Sequence, residues 1–229
     1  MQSKSINFLL LLFVWLVCSP GARAQHEASR FQIGVNLLSL TDRNETFDNT
    51  VLLRYRLKQR HYLRWQVGGY IWRNDMEYQR RNNTTTAGTD LERYFIQTLG
   101  YQYNLCRADE PVALLLGAEA LYARTYRDIL YIAQQSPEPD LHYTDGFLTH
   151  TYGGTAVIGG QVKLTEHLRL GVESKIILTY STRSGLGFNR NINLETGELG
   201  EPYGFRDRDI LRWQIQLQAV AGFFLVVAF

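Results

Sequence analysis

The chain reads as all-β, an eight-stranded antiparallel transmembrane up-and-down β-barrel, and three observations predict that class. The last stretch, Ile210 to Phe229, alternates for too long to be an ordinary soluble strand. Leu211, Trp213, Ile215, Leu217, Ala219, Ala221, Phe223, Leu225, Val227 and Phe229 share one parity, and Arg212, Gln214, Gln216 and Gln218 share the other. Alternation between lipid and interior over about ten residues is the mark of a strand that crosses a bilayer when tilted. The second observation is the connection rhythm along the chain: long, short, long, short, long, short, long. Membrane barrels with both termini on the periplasmic side need short turns there and long loops outside.

The third observation is the N-terminus. Lys4 precedes the apolar run Phe8 to Val17, then come Ser19-Pro20-Gly21 and the small-residue triplet Ala22-Arg23-Ala24. Residues 1–24 are therefore expected to be a secretory signal peptide and residues 25–229 the barrel domain. Its apolar core is near ten residues, short of the roughly 20 that a spanning helix needs. Val17 is a poor residue to precede a lipid-bearing Cys18. Cleavage removes Lys4 and Arg23 and no acid, so the remaining chain balances basic and acidic residues. The sequence pI of 8.5 then gives no ground for a nucleic-acid partner. One of the two cysteines leaves with the leader, and Cys106 has no intramolecular disulfide partner. Mean hydropathy of −0.23 looks soluble, but only alternate strand residues would face lipid, so averages miss a barrel.

Each strand follows from its own alternation. The first, Phe31 to Leu40, sets Phe31, Ile33, Val35 and Leu37 against Gln32, Gly34 and Asn36. After a polar loop at 41–50, the second, Val51 to Lys58, sets Leu53, Tyr55 and Leu57 against Arg54, Arg56 and Lys58. Gln59-Arg60-His61 turn into the third, where Leu63, Trp65, Val67 and Ile71 oppose Tyr62, Arg64, Gln66 and Tyr70. The polar segment 74–90 reads as a loop by composition. The fourth strand spans about Leu91 to Leu105, with Ile96 and Gln97 against the pattern, and Pro111 opens the fifth, Val112 to Tyr126. There the run Leu114-Leu115-Leu116 blurs the alternation, and placing Glu119 inward sets Leu114, Leu116 and Ala118 outward. A loop at 127–149 contains Pro137 and Pro139. The sixth strand, His150 to Leu164, carries four glycines that suit a tightly curved small barrel. Thr165-Glu166-His167 turn into the seventh, with Leu168, Leu170, Val172, Ile176, Leu178 and Tyr180 against Arg169, Glu173, Lys175 and Thr179. The loop 181–209 leads to the last strand.

On these eight alternating segments, the loop rhythm and the terminal Phe229, the chain resembles the small eight-stranded outer-membrane barrels of the OmpA/OmpX type, in particular the outer-membrane β-barrel proteins of the Bacteroidota. The resemblance covers the whole chain after the leader and is architectural. It implies a Gram-negative outer membrane, contact with its lipid and lipopolysaccharide, and a structural, adhesive or secretion-associated role, without assigning residues.

An eight-stranded barrel is just wide enough for side chains to fill, so no water-filled channel is expected. Arg54, Glu119, Glu173 and Lys175 are expected inside near mid-height as a charge network, because charges there need partners. Arg56, Lys58, Arg64, Lys163 and Arg169 are expected at the periplasmic rim. The tryptophans and tyrosines, including Trp65, Trp72, Trp213, Tyr70, Tyr101, Tyr103 and Tyr180, read as interfacial girdles.

No catalytic, cofactor-binding or metal-binding set emerges. His142, His150 and Ser181 are the candidates for a lipid-modifying hydrolase, but their spacing does not require a nucleophile and base to meet. His26, His61 and His167 lack metal-ligand spacing. The expected function is a non-enzymatic, structural or surface-binding barrel whose protein partners meet loops 41–50, 74–90, 127–149 and 181–209. Narrow solute or ion passage is the main alternative, and an outer-leaflet lipid-modifying hydrolase ranks below it. A further one is a soluble periplasmic ligand-binding barrel with the faces inverted and the apolar side chains inward.

Overall fold

The computed structural model describes residues 30–37, 49–79, 85–106, 110–133, 140–193, 196, 198–207 and 210–229. The expected leader, Cys18 and most of the loop 41–50 lie outside these residues. Nine strands follow in order: β1 (Phe31–Asn36), β2 (Asn49–Lys58), β3 (His61–Gln79), β4 (Thr85–Asn104), β5 (Val112–Ala133), β6 (Asp140–Lys163), β7 (Leu168–Ile192), β8 (Tyr203–Asp207) and β9 (Ile210–Ala228). All pair antiparallel in one sheet, and the described residues contain no helix.

Each strand from β1 to β7 pairs with the next, β9 pairs with β7, and β9 returns to β1, so eight strands close into a ring. Closure runs from Gln32 opposite Ala228 to Asn36 opposite Phe224. Below it, Phe229 N–H donates to the Phe31 carbonyl at 2.9 Å. The ninth strand, β8, pairs with β7 in the register that β9 keeps, Leu186 opposite Asp207 above Arg183 opposite Ile210, and so continues the line of β9 upward. The turns after β2, β4 and β6 gather at one end, the lower end, together with Phe229. In the β6–β7 turn the Thr165 hydroxyl accepts from the backbone N–H of Leu168 at 3.1 Å.

The strands are longer than their alternation suggested. β5, β6 and β7 have 22, 24 and 25 residues. Three stretches expected as loops are largely strand: 74–90 holds the upper parts of β3 and β4, 127–149 those of β5 and β6, and 181–209 that of β7 together with β8. The physical reason is simple. Above the apolar belt polar and apolar residues are mixed on both faces, as in Asp128-Ile129-Leu130-Tyr131, so the alternation lapses while backbone pairing continues unbroken from Arg127 opposite Phe147 up to Ala133 opposite Leu141.

Side-chain faces follow strand parity. Large apolar residues face out around the ring, among them Ile215 at 76% exposure, Leu217 at 73% and Ile158 at 60%. The inward set is polar or charged over much of its height, and the buried apolar residues Leu52, Phe224 and Val226 cluster near the lower end. In β9 the register against β7 jumps between Glu173 and Lys175, whose partners are Gly222 and Gln218. Two extra β9 residues are accommodated there, and because the number is even, the faces do not exchange.

Candidate functional site

The interior is built from two charged networks with a chamber between them. The lower one begins with a cross-strand row in which Arg54, Arg64, Gly100, Glu119, Thr155, Ile177 and Gln216 are partners in succession from β2 to β9. Arg54 donates to Glu173 Oε1 at 2.6 Å. Arg64 holds both oxygens of Glu173, at 2.7 Å each, in a bidentate pair. Its Nε is ion-paired with Glu119, on the far side of β4. Gly100 stands between them, and a Cβ there would collide with the Ala118 carbonyl oxygen and the Glu119 side chain. Glycine is thus what lets Arg64 and Glu119 meet across a strand.

Lys175 completes the network. Its ammonium donates to Gln66 Oε1 at 2.8 Å and lies 3.8 Å from Glu119 Oε2. The structure brings together all four residues expected inside, Arg54, Glu119, Glu173 and Lys175, and adds Arg64. One correction follows. Arg64 belongs to this centre, fully buried, and not to the lower rim. Glu119 serves Arg64 and Lys175, while Arg54 depends on Glu173.

The upper network lies one tier higher. Arg127 donates to both oxygens of Asp90, at 2.9 and 2.5 Å, and approaches Glu92 at 3.8 Å. Tyr70 donates to Glu92 at 2.6 Å and stacks on Tyr94. The Phe147 ring lies between two guanidinium groups, with Arg183 at 3.3 Å and Arg127 at 6.0 Å from its centroid. Asp145 is buried in the same tier. Three cations and two carboxylates below face two cations and three carboxylates above, so the tiers carry opposite formal imbalances across the chamber.

The chamber itself has a volume of about 250 Å³. Gln66 and Lys175 form its floor, Tyr94 and Ser181 reach its upper part, and the Thr50, Thr98 and Thr155 side chains line its wall. Ile96 also faces it, which explains the irregular alternation at Ile96-Gln97: the inward phase holds, but with an apolar residue.

The hydrolase candidates separate. Ser181 points inward, with its hydroxyl 2.9 Å from that of Thr151. His150 has the opposite parity and lies against Tyr122, with Nδ1 3.1 Å from the phenol oxygen. The sheet stands between them, so they form no nucleophile–base pair. The His142 side chain lies outside the described residues. Cys106 is half-buried and free, its backbone N–H donating to Asn104 Oδ1 at 3.1 Å. Among the described residues no group of three or more His, Cys, Asp or Glu is placed to hold a metal. No protein-family model, curated protein or solved structure matches the chain.

Proposed function

We propose that this chain is an outer-membrane β-barrel whose ring sits in the bilayer, whose interior is closed by ion pairs, and whose tall upper hairpins act as a structural or binding surface outside the cell. The observation that carries the reading is the assignment of faces. Large apolar residues such as Leu63, Leu99, Ile158, Leu178 and Leu217 are exposed on the outer surface, while Arg54, Arg64, Glu119 and Glu173 are buried inside. In water that arrangement would expose a continuous apolar belt, far beyond the patch an ordinary soluble surface carries. In lipid the same belt is solvated, and the pairing of β1 with β9 from Gln32–Ala228 to Asn36–Phe224 joins two edges that an open sheet would leave bare. A soluble ligand barrel needs the reverse orientation.

The hairpins supply the surface. About ten residues suffice for a tilted crossing, so strands of 22 to 25 residues rise well beyond it. They carry the paired sheet upward, with β8 alongside β7. The reading is non-enzymatic.

Gel mobility of protein from isolated outer membranes, with and without boiling, is the test. A faster unboiled band that shifts on heating is expected. Recovery in the soluble periplasmic fraction with no heat shift would overturn the proposal.

The chamber favours one second reading, narrow passage of a solute or ion, because it already provides water-accessible space between the two networks. Passage requires both networks to part. Planar-bilayer conductance by the wild type that rises further when Arg127 is replaced would support it; a closed wild type and variant would remove it.

A further inference from the structure

Above the aromatic girdle, the outward face changes character on one flank only. Tyr122, Tyr152, Tyr180 and Trp213 are successive cross-strand partners, a continuous aromatic row across β5, β6, β7 and β9. One outward position higher, the row reads Phe95, Arg124, His150, Thr182 and Leu211. The next reads Ile71, Arg93, Tyr126, Leu148 and Ser184. Arg93 and Arg124 are both exposed. Among the described residues no acid faces outward in either row, and the arginines are confined to β4 and β5.

Arg93 and Arg124 are diagonal neighbours, and such positions lie about 7 to 8 Å apart at the backbone. Two long guanidinium side chains at that separation can close on one group from both sides. The Arg93 guanidinium leans over the Tyr126 ring, 5.9 Å from its centroid, and His150 sits beside Arg124 in register. Guanidinium groups match phosphate oxygens in bidentate fashion, and Tyr and Trp collect at the headgroup level of a bilayer. We infer that Arg93 and Arg124, flanked by Tyr126 and His150, bind the terminal phosphomonoester of an anionic outer-leaflet lipid. The site rests on the membrane reading above, which places the aromatic row at the interface.

The test uses the full protein in dodecyl maltoside, with phosphatidic acid and phosphatidylcholine added in turn and retained lipid counted by native mass spectrometry. Wild type should hold phosphatidic acid about tenfold or more tightly than R93Q/R124Q, with phosphatidylcholine the same for both. Inorganic phosphate at equal concentration should not displace the lipid. R73Q, which alters the exposed Arg73–Asp75 pair, should behave as wild type. Equal binding by R93Q/R124Q, or an equal loss in R73Q, overturns the site, and displacement by inorganic phosphate overturns the lipid assignment. Both arginines are exposed, so the variant should keep its heat-shifted gel band, which confirms that it is folded. A wild-type protein found in the soluble fraction would instead overturn the membrane premise itself.

Discussion

The lower and upper networks use the same chemistry, bidentate arginine on carboxylate, at two depths of one ring. In the lower one Arg54, Arg64, Glu119 and Glu173 are all under 5% exposed; in the upper one Asp90 is as deep, but its partner Arg127 is 37% exposed at the side chain. Burial decides how much each pair matters. A charge with no access to water must keep its partner or suffer the full desolvation cost, whereas an exposed arginine can exchange its partner for solvent. The lower network therefore acts as a structural plug that the fold depends on, and the upper one as an adjustable cap on the chamber.

The sharpest way to break this contrast is Glu173→Ala, which leaves both Arg54 and Arg64 without their shared carboxylate. The expected loss is about 3 to 5 kcal/mol, seen as a lower urea midpoint for the detergent-folded protein. Glu119→Ala should cost less, about 3 kcal/mol, since Arg64 keeps Glu173 and Lys175 keeps Gln66. Gly100→Ala tests the close approach across β4. It should destabilise by about 1 to 3 kcal/mol through strain, with no charge removed. Asp90→Ala should cost only about 1 kcal/mol, since the half-exposed Arg127 left behind can turn to solvent, while amide exchange in the upper hairpins rises.

The smallest effect belongs to the exposed Arg73–Asp75 pair on β3, 3.0 Å apart. The hydrogen bond from Arg73 holds the Asp75 carboxyl below its ordinary value. A depressed carboxylate favours the folded state above the ordinary carboxylate range, and that preference fades as pH falls through the lowered value. Arg73→Ala should move the Asp75 titration, followed by carbonyl-carbon NMR, back up toward the usual range and leave the urea midpoint in place.

Parity made much of the ring legible in the sequence. Placing Glu119 inward correctly set Leu114, Leu116 and Ala118 outward despite the unbroken run Leu114-Leu115-Leu116, because Glu119 fixes the phase of the whole strand. Arg64 was placed on the right face but too low. The two-residue turn at Gln59-Arg60 alone would set it opposite Tyr55, and the extra β2 residue Leu57, where the register shifts between Arg56 and Lys58, brings it opposite Arg54. The upper strands were not legible, because alternation reports a consistent polarity difference between two faces, and above the belt polar and apolar residues are mixed on both. The joining of Arg64 to Glu119 depended on a missing side chain at Gly100, which no pattern of polar residues could announce.

The outward placement of the apolar belt in lipid is most directly tested by tryptophan quenching. Trp65 and Trp213 are exposed on the outer face, at 44% and 70%, while Trp72 has the inward parity. Single-tryptophan variants, the others replaced by phenylalanine, would be folded into vesicles containing bromine-labelled phosphatidylcholine. Strong quenching of Trp65 and Trp213 with little quenching of Trp72 is the predicted result. Equal quenching of all three, or none in any, would contradict the orientation of the faces and with it the membrane barrel.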